Sequence, residues 1–476
     1  MIKLLVYALK TIRNIMSDNN NNIIELEITD LNNLGCGVGH TAEGIVVFVN
    51  GTVAGDTVKV AIIKKNKTYL VGKLLEITKR SVDRTEEDFC SAPQSCGGCV
   101  YRNITYEKEK SLKEEYVKTV FHKAGFSDIP IFPIVSTDKI THYRNKAQYP
   151  VCIQKGKVSA GFFAVKSHNI VVAEDCLLQP VIFSHILKYV CDYATENDLS
   201  VYDEKTGRGL LRHVYLRDGK ETGEILLCLV MNGDKMPNQE NFCNDLCKKF
   251  PQIVGVLLNI NRRDTNLILG KETLLLYGRD YIEDILCGVR LRISSGSFYQ
   301  VNHDAAELLY RKAAEVAELK PTDTLLDLYC GTGSIGLSMA NKVKEVIGIE
   351  IVPEAVNCAR ENARLNNIKN ARFYCGDAIK AENLMHGAEE ERSGKLKADV
   401  VIIDPPRKGI DKELVDFIVK KEIERVVYVS CNPDTLARDA VYFMDAGYKI
   451  KSVTPVDMFP RTGHVETVVM MSRVKE

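Results

Sequence analysis

The sequence predicts an α/β protein in which a doubly wound parallel sheet follows a region of short strands. In the last third of the chain, buried strand patterns alternate with helical patterns, which is the order that builds a parallel sheet. A glycine-rich turn at residues 330–336 joins the first of these strands to its helix. Near the N-terminus, short alternating strands between glycine and asparagine turns predict a small closed barrel.

Length and composition fit a chain of several ordinary globular domains. The 476 residues are enough for two to four domains, and 45% of them are hydrophobic and 26% charged. The formal net charge is zero, so a nucleic-acid surface would come from local patches such as residues 64–67. No apolar run is long enough to span a bilayer. Residues 1–22 imitate a secretory leader weakly, and we expect them to be disordered or wrongly assigned to the coding frame.

Residues 23–80 carry the predicted barrel. Strand patterns begin near residues 24, 44, 57 and 68, each separated from the next by a turn. The sequences at residues 35–39 and 53–56 resemble the TRAM domain, a small RNA-binding barrel. This resemblance implies that the barrel binds RNA, and the alternative is a barrel without a ligand.

Residues 81–290 predict a β-rich central domain with a charged helix over residues 107–124. Cations and amides at residues 143–148 and 208–213 lie beside predicted strands. Such side chains make phosphate and base contacts in some proteins and solvate strand edges in others, so the residue types leave both interpretations open.

Grouped cysteines stand at the start of this central region. Cys90, Cys96 and Cys99 lie close together, and two of them flank a Gly-Gly turn that lets thiolates converge on one centre. Iron–sulfur clusters and structural zinc usually need four ligands. Cys176 is the best candidate for the fourth, because the competing Cys152 has the apolar neighbours of a strand interior. The ligand types leave an iron–sulfur cluster and zinc open, and a loop of free thiols is the remaining alternative. A chain with scattered cysteines and no clear leader is expected to be cytoplasmic.

Residues 291–476 predict the doubly wound domain, whose strands end in side chains suited to binding and chemistry. The first strand ends at Tyr329, the second at Glu350 and the fourth at Asp404, and the fifth leads into Cys431. Ligands of open α/β sheets bind at these carboxyl ends. A carboxylate at the end of the second strand can accept hydrogen bonds from both hydroxyls of an adenosine ribose.

Two enzyme classes compete at this point. The Gly-x-Gly-x-x-Gly spacing at residues 331–336 also fits a dinucleotide fingerprint, which makes a dehydrogenase one alternative. An Asp-Pro-Pro-Arg sequence at residues 404–407, followed by a cysteine on the next strand, argues against it because a dehydrogenase has no use for that pair. An amino methyltransferase is the second alternative, but Arg407 stands where such enzymes carry an aromatic residue.

A cysteine and a carboxylate suit methylation of a pyrimidine carbon. C5 of uracil is a poor nucleophile, and a thiolate that adds to C6 turns the ring into an enolate whose C5 can accept a methyl group. A base must then remove the C5 proton, and Glu466 begins a strand close in the chain to the fifth. The structural alternatives are a buried, unreactive Cys431 and a polar edge-strand Glu466.

The motifs together resemble the RNA (uracil-5-)-methyltransferases of the TrmA/RumA type, over essentially the whole chain after the leader. They are the cysteine cluster, Ser-Phe-Tyr-Gln-Val-Asn at 297–302, Asp-Leu-Tyr-Cys-Gly-Thr-Gly at 327–333, Asp-Pro-Pro-Arg-Lys-Gly at 404–409, Ser-Cys-Asn-Pro at 430–433 and His-Val-Glu at 464–466. By this resemblance the doubly wound domain is a class I methyltransferase domain, Cys431 is the nucleophile and Glu466 the base. The implied S-adenosylmethionine contacts are Gln300, Tyr329, Glu350 and Asp404.

The resemblance also implies a metal cofactor and an RNA substrate. Cys90, Cys96, Cys99 and Cys176 match the [4Fe-4S] ligands of the cluster-bearing branch. The tRNA-specific branch is less similar because it lacks both barrel and cluster, so the resemblance points to large-subunit (23S) ribosomal RNA. The alternatives are a tRNA uracil-5 methyltransferase and a non-enzymatic RNA-binding or ribosome-assembly protein. We expect no membrane association and no stable protein partner.

Overall fold

The computed structural model describes residues 22–85, 90, 92–93, 95–165, 167–172, 175–380 and 397–474. The expected leader, apart from residue 22, lies outside the described residues. The chain divides into two compact units. The first comprises Met1–Gln94, Gly98–Lys113 and Arg461–Gly463, and the second comprises Ser95–Gly97, Glu114–Pro460 and His464–Glu476.

The first unit contains a closed five-stranded barrel, as the N-terminal strand pattern predicts. Its strands pair in the order β1-β2-β3-β5-β4. Alternate residues of β1, β3 and β4 point inward and fill a small apolar core, which is what period-two patterning produces in a barrel. The strands are β1 (Ile23–Leu31), β2 (Cys36–His40), β3 (Val46–Asn50), β4 (Thr57–Lys65) and β5 (Tyr69–Lys79).

The second unit begins with a seven-stranded sheet in the order β12-β11-β10-β9-β6-β7-β8. The residues on one face of β6, β9, β10 and β11 pack with helices α2 and α3 into one apolar core. The strands are β6 (Lys146–Gln154), β7 (Lys157–Phe163), β8 (Ile170–Val172), β9 (Leu211–Asp218), β10 (Ile225–Met231), β11 (Ile253–Ile260) and β12 (Glu272–Gly278), and the helices are α2 (Val181–Glu196) and α3 (Gln239–Lys249). Helix α1 (Tyr106–Lys123) precedes this sheet in the chain, and its residues 106–113 belong to the first unit. Helix α1 matches the helix expected over residues 107–124.

A second seven-stranded sheet in this unit carries the order β17-β16-β15-β18-β19-β21-β20. Strands β15 to β19 run parallel, and β21 inserts antiparallel beside β19. Its elements, with the preceding hairpin, are β13 (Tyr281–Leu286), β14 (Val289–Ser294), α4 (His303–Val316), β15 (Thr324–Leu328), α5 (Ser334–Met339), β16 (Glu345–Glu350), α6 (Pro353–Leu365), β17 (Ala371–Cys375), β18 (Val400–Ile403), α7 (Lys412–Lys420), β19 (Arg425–Ser430), α8 (Pro433–Asp445), β20 (Tyr448–Val456) and β21 (Glu466–Arg473).

The parallel strands form because both of their faces are covered. The four residues of β18 are all fully buried, and alternate residues of β15, β18 and β19 contribute to two different apolar clusters. Asn302 and Asn432 cap the helices that follow them by accepting hydrogen bonds from backbone N–H groups. The doubly wound sheet and the barrel of the predicted fold class are confirmed.

The predicted metal cluster is not assembled in the part of the chain that the structure describes. No group of three or more His, Cys, Asp or Glu side chains there is arranged to hold a metal ion. The cluster therefore stays a prediction. No helix among the described residues is long and apolar enough to cross a membrane.

Candidate active site

The carboxyl end of the second sheet collects the side chains that the sequence singles out. Strand β19 ends at Ser430, so Cys431 is the first residue beyond it. Ser430 pairs with Thr467 of the antiparallel strand β21. The next position in that register sets Cys431 opposite Glu466, the first residue of β21. A cysteine and a carboxyl side chain therefore meet at the edge where such sheets bind ligands.

Cys431 is half-buried, so its thiol is not sealed in the interior. The backbone around it is held tightly, since Ser430 Oγ accepts a hydrogen bond from Asn432 N at 3.1 Å. Burial raises the pKa of the Cys431 thiol, and the carboxyl groups of Glu466 and Asp404 raise it further. The Arg407 guanidinium acts in the opposite direction through its charge and a hydrogen bond to the thiol. The free protein thus favours the protonated thiol at neutral pH.

Glu466 is buried, with 4% of its surface exposed. Burial, and then the charge of Asp404, raises the pKa of this carboxyl to about 8, although Arg407 opposes the shift. Burial also raises the pKa of Asp404, which follows strand β18, to about 7. Carboxyl groups tuned to the neutral range can exchange protons during a reaction near that pH.

The loop after Asp404 is tied to the segment that carries Cys431. The carbonyl oxygen of Arg407 accepts hydrogen bonds from Asn432 Nδ2 at 3.2 Å and from Thr435 Oγ1 at 3.3 Å. These bonds fix the backbone of Arg407 relative to the cysteine. Helix α8 holds the far end of the same loop, because buried Asp439 accepts a hydrogen bond from the backbone N–H of residue 410 at 2.9 Å.

The glycine turn between β15 and α5 leaves room for a ligand. Gly331 and Gly333 have φ values of +54° and +80°, a region that glycine adopts without strain. A Cβ atom at Gly331 would meet nothing within 4 Å, whereas one at Gly336 would lie 2.8 Å from Asp327 Oδ2. Asp327 is fully buried, and its Oδ1 accepts no hydrogen bond from a described residue. An open turn beside an unsatisfied buried acceptor fits a ligand that carries hydrogen-bond donors.

Of the predicted cofactor-binding residues, Glu350 and Tyr329 lie at this turn, and Gln300 lies shortly before helix α4. Glu350 ends β16, and its two carboxylate oxygens accept hydrogen bonds from Gly331 N at 3.1 Å and Val352 N at 2.9 Å. Tyr329 is half-buried with a φ of +62°. Gln300 is buried, and its backbone carbonyl oxygen accepts a hydrogen bond from Asn145 Nδ2 at 2.9 Å.

Asp404 connects the glycine turn with the cysteine. Ile403, the last residue of β18, pairs with Leu328 of β15 on one side and with Tyr428 of β19 on the other. Asp404 therefore lies at the same edge of the sheet as the glycine turn and Cys431, and its charge raises the pKa of Asp327, Cys431 and Glu466.

Three residues of the site do not stand out in the sequence. The strand pattern at residues 324–328 makes Asp327 look like an ordinary strand residue. Its position shortly before the glycine turn is the sequence signal that could have indicated a role in ligand binding. In the sequence, Arg407 is used only as evidence against an amino methyltransferase, because such enzymes carry an aromatic residue at this position. Tyr310 on helix α4 carries no sequence signal, yet its buried hydroxyl lies 2.8 Å from Ser334 Oγ and close enough to Asp404 and Asp327 to feel their charge.

The four cysteines proposed as metal ligands are all half-buried. Cys90 and Cys99 belong to the first unit, where Arg102 donates a hydrogen bond to the carbonyl oxygen of Ala92 at 2.8 Å and another to that of Cys90. Cys96 and Cys176 belong to the second unit, where Cys96 forms an isolated β-bridge with Ala164. Burial raises the pKa of the nearby Tyr149, and the charge of Cys176 adds to that shift.

The fold and the site together define a class I methyltransferase domain. The features of this class are five parallel strands, an antiparallel strand inserted between the fifth of them and the edge strand, a glycine turn and an acidic end to the second strand. The family model described as tRNA (Uracil-5-)-methyltransferase matches residues 105–474, and the TRAM domain model matches residues 19–75. The chain belongs to the tRNA (uracil-5-)-methyltransferase family and is an S-adenosylmethionine-dependent RNA methyltransferase. This membership sets aside the dehydrogenase and the non-enzymatic alternatives.

Relatives align over nearly the full length. A Clostridium tetani protein described as an RNA methyltransferase is 39% identical over 95% of this chain and 96% of its own. One from Caldanaerobacter subterraneus with the same description is 40% identical over 94% of this chain and 98% of its own. The solved structure of the Pyrococcus abyssi tRNA (uracil-54, C5)-methyltransferase in complex with S-adenosyl-L-homocysteine matches with a TM-score of 0.75 and 26% identity, covering 94% of this chain and 100% of the other.

Proposed function

We propose that this chain transfers a methyl group from S-adenosylmethionine to C5 of a uridine in RNA through a covalent bond between Cys431 Sγ and C6. The observation that carries the proposal is the pairing of a half-buried cysteine with a buried carboxyl at the carboxyl end of a ligand-binding sheet. Neither cofactor binding nor amine methylation requires a cysteine paired with a carboxyl group. Nucleophilic catalysis at a pyrimidine requires both, since a thiolate must attack the ring and a base must remove the C5 proton.

The proposed reaction balances through these two side chains. The Cys431 thiolate forms an S–C6 bond, and the C5=C6 electrons move into an enolate. When bound, S-adenosylmethionine would supply an electrophilic methyl group to C5 of this enolate, and the electrons of the broken C–S bond would leave with S-adenosylhomocysteine. The Glu466 carboxylate then removes the C5 proton, the double bond re-forms, and the C6–S bond breaks with its electrons returning to sulfur.

The residues present fit the cofactor that this family uses. We assign Glu350 to the ribose hydroxyls, and Tyr329, Gln300 and Asp404 to further contacts with S-adenosylmethionine. The open turn at Gly331 and the unsatisfied Oδ1 of Asp327 support a ligand with donors at this place.

The RNA that carries the uridine is the second part of the proposal. Resemblance to the cluster-bearing branch favours large-subunit ribosomal RNA. A tRNA is the second candidate, because the family model is described by its tRNA substrate and the Pyrococcus abyssi tRNA enzyme is covered over its whole length. Because that match covers 94% of this chain, the expectation that a tRNA enzyme lacks some of its domains does not count against a tRNA substrate.

The proposal of a metal cluster is based on the cysteine thiols available as ligands. Four thiols of half-buried cysteines, those of Cys90, Cys96, Cys99 and Cys176, are suitable ligands for a [4Fe-4S] cluster. We further propose a cytoplasmic enzyme that acts on RNA without a stable protein partner.

One assay tests the activity and the substrate together. S-adenosylmethionine with a labelled methyl group is incubated with unmodified 23S rRNA or with tRNA transcripts, and modified nucleosides are separated after digestion. We expect label in 5-methyluridine from the rRNA. Label in tRNA alone would replace the ribosomal substrate, and label in any other nucleoside would overturn the proposed reaction.

The Cys431→Ala variant tests the nucleophile. We expect methyl transfer to fall by more than about 10³-fold, because no other group can form the covalent bond to C6. Binding of S-adenosyl-L-homocysteine, measured by calorimetry, should be retained. The matched control is Cys358→Ala, which removes a half-buried cysteine from helix α6 and should leave the rate unchanged. A normal rate in Cys431→Ala would refute the assignment.

A further inference from the structure

Glu466 lies at a point where the strand ladder on one side has ended. Strand β19 pairs with β21 up to Thr467, one residue short of Glu466. On its other side Glu466 pairs with Val456, the last residue of β20. Residues 457–465, the base loop, join these two strands. The place of the Glu466 side chain relative to Cys431 therefore depends on how the base loop is held.

Two buried side-chain donors hold the first half of the base loop. Asn302 Nδ2 donates a hydrogen bond to the carbonyl oxygen of Met458 at 2.9 Å, and Tyr143 Oη donates one to that of Pro460 at 2.8 Å. Asn302 and Tyr143 are both buried, so water does not replace either donor when it is removed. The two bonds fix the backbone on both sides of Phe459.

The two donors share one support. Asn302 caps helix α4, because its Oδ1 accepts a hydrogen bond from Ala305 N at 3.3 Å. Arg144, the residue after Tyr143, forms a β-bridge with Asn302. The backbone N–H of Arg144 also donates to the carbonyl oxygen of Leu178 at 2.9 Å. Both donors are therefore fixed relative to each other.

Phe459 connects the two halves of the base loop. Its ring packs edge-on against the ring of His464, with centroids 6.0 Å apart and an interplanar angle of 74°. The Arg144 guanidinium lies 5.9 Å from the centroid of the Phe459 ring. His464 is two residues before Glu466, and Val465 between them is buried. The contact between the rings therefore fixes the end of the loop from which Glu466 follows.

We propose that Tyr143 and Asn302 are positioning residues that fix the base loop and so hold the Glu466 carboxyl beside the nucleophile for removal of the C5 proton. This inference rests on the proposed function of Glu466 as the base. Asn302 ends the Ser-Phe-Tyr-Gln-Val-Asn motif at 297–302, in which Gln300 is assigned to the cofactor. One motif thereby serves both cofactor binding and proton removal.

Kinetics of the Tyr143→Phe and Asn302→Asp variants test this role. Phenylalanine removes a single hydroxyl group, and ionised aspartate keeps the cap on α4 but cannot donate to Met458. Proton removal follows methyl transfer in the proposed reaction, so a misplaced base slows a step after the covalent adduct has formed. We expect kcat to fall roughly tenfold, while kcat/KM for the 23S rRNA or tRNA transcript that the wild type methylates stays within about twofold. A denaturing gel should show more protein–RNA adduct than the wild type accumulates.

Tyr448→Phe is the matched control. Tyr448 is equally buried, and its Oη donates a hydrogen bond to the carbonyl oxygen of Ile423 at 2.6 Å, but that bond lies at the amino end of β19. This variant should accumulate no adduct. Thermal unfolding checks that each variant is folded, and Asn302→Ser, which also keeps a capping oxygen, replaces the aspartate variant if that one is not. Folded Tyr143 and Asn302 variants with normal kcat, or with kcat/KM reduced and no extra adduct, overturn the proposal.

A measurement without RNA separates this inference from the proposed function. Cys431 is alkylated with iodoacetamide across a pH series and is followed by mass spectrometry in the tryptic peptide 426–438, of which it is the sole cysteine. The charge of Glu466 raises the pKa of this thiol. Glu466→Gln should therefore lower the alkylation midpoint, by roughly half a pH unit.

We expect the double variant Tyr143→Phe/Asn302→Ser to lower this midpoint in the same direction, and Tyr448→Phe to leave it unchanged. A double variant with the wild-type midpoint overturns the positioning role, whatever the chain methylates. If the midpoint shifts but the wild-type chain methylates no RNA, the reaction assignment fails and the hold of Tyr143 and Asn302 on Glu466 stands.

Discussion

At the scale of single residues, the site depends on ionisable groups whose neighbours hold them away from their ordinary pKa. Glu466 and Asp404 are carboxyl groups with pKa values raised to about 8 and about 7, first of all by burial. A carboxyl in that range can be protonated at rest and still become a base during turnover. Glu466 leads to two predictions, one for the reaction and one for stability.

The Glu466→Gln variant should trap the covalent intermediate. Glutamine keeps the shape of the side chain but cannot take up the C5 proton, so elimination stops after the methyl group has been added. A denaturing gel with labelled RNA should show a slowly migrating protein–RNA species. The Cys431→Ala variant is the control and should give none, and a Glu466→Gln protein that turns over normally would show that another group is the base.

The same substitution should make stability less sensitive to pH. The native state keeps the Glu466 proton up to a pKa of about 8, whereas the unfolded chain loses it near the ordinary pKa of 4.5. The unfolded state therefore binds fewer protons between these values, and the free energy of unfolding falls as the pH rises through this window. Relative to the wild type, Glu466→Gln should gain stability of the order of 4 kcal/mol between about pH 5 and pH 8.5. Urea unfolding of both proteins at both pH values measures this gain. The prediction is contradicted if the difference in the free energy of unfolding between the variant and the wild type is the same at both pH values.

At the scale of elements, the site is built by strand register and by one anchored loop. Pairing of β19 with β21 brings together Cys431 and Glu466, which are separated in the chain by helix α8 and strand β20. The loop at residues 404–410 then sets Asp404 and Arg407 against this pair, and their charges act on the thiol. The position of that loop therefore decides the electrostatics of the nucleophile.

Helix α8 anchors this loop through Asp439. One oxygen of the Asp439 carboxylate accepts hydrogen bonds from Ile410 N at 2.9 Å and Tyr428 Oη at 2.7 Å. The other oxygen accepts one from Arg438 Nε at 2.8 Å. Arg438 in turn donates to the carbonyl oxygen of Lys408 at 2.9 Å, so both ends of the carboxylate support the loop.

The Asp439→Asn variant tests this anchor. Asparagine offers one acceptor oxygen where the carboxylate uses two, so at least one donor loses its partner. We expect a loss of roughly 2 kcal/mol in the free energy of unfolding. We also expect kcat to fall roughly tenfold or more, because Arg407 and Asp404 lie on the loop that is released. The matched control is Asp445→Asn on the exposed end of the same helix, which should change neither quantity. A stable Asp439→Asn protein with normal kcat would show that the loop keeps its position unaided.

At the scale of the whole molecule, the chain combines a barrel, a central sheet and a methyltransferase sheet in two compact units. The proposed cluster ligands Cys90, Cys96, Cys99 and Cys176 are all half-buried. A metal cluster held by all four would cross-link distant parts of the sequence, and its binding energy would add to folding stability.

The cluster makes a compositional prediction. Protein purified without oxygen should be brown, contain about four irons per chain and show broad visible absorption, since a cubane cluster needs four thiolate ligands. Replacing Cys96 or Cys176 with alanine should abolish the colour and lower the unfolding temperature. Cys152→Ala, which removes a half-buried cysteine of strand β6, is the control and should keep both. A colourless protein that contains zinc would overturn the iron assignment.

The sequence by itself determined the succession of strands and helices, the glycine turn, the family and the choice of Cys431 and Glu466 as candidates. These depend on local patterns, because the period of burial and the residues allowed at a turn are readable along the chain. The tertiary structure decided what the pattern does not encode: the register that sets Glu466 beside Cys431, the anchoring of the 404–410 loop by Asp439 and the hydrogen bonds that join the Arg407 carbonyl to the segment after Cys431. Such contacts join residues from different strands, helices and loops, and the charges of these residues act through space. Local sequence patterns therefore do not predict them.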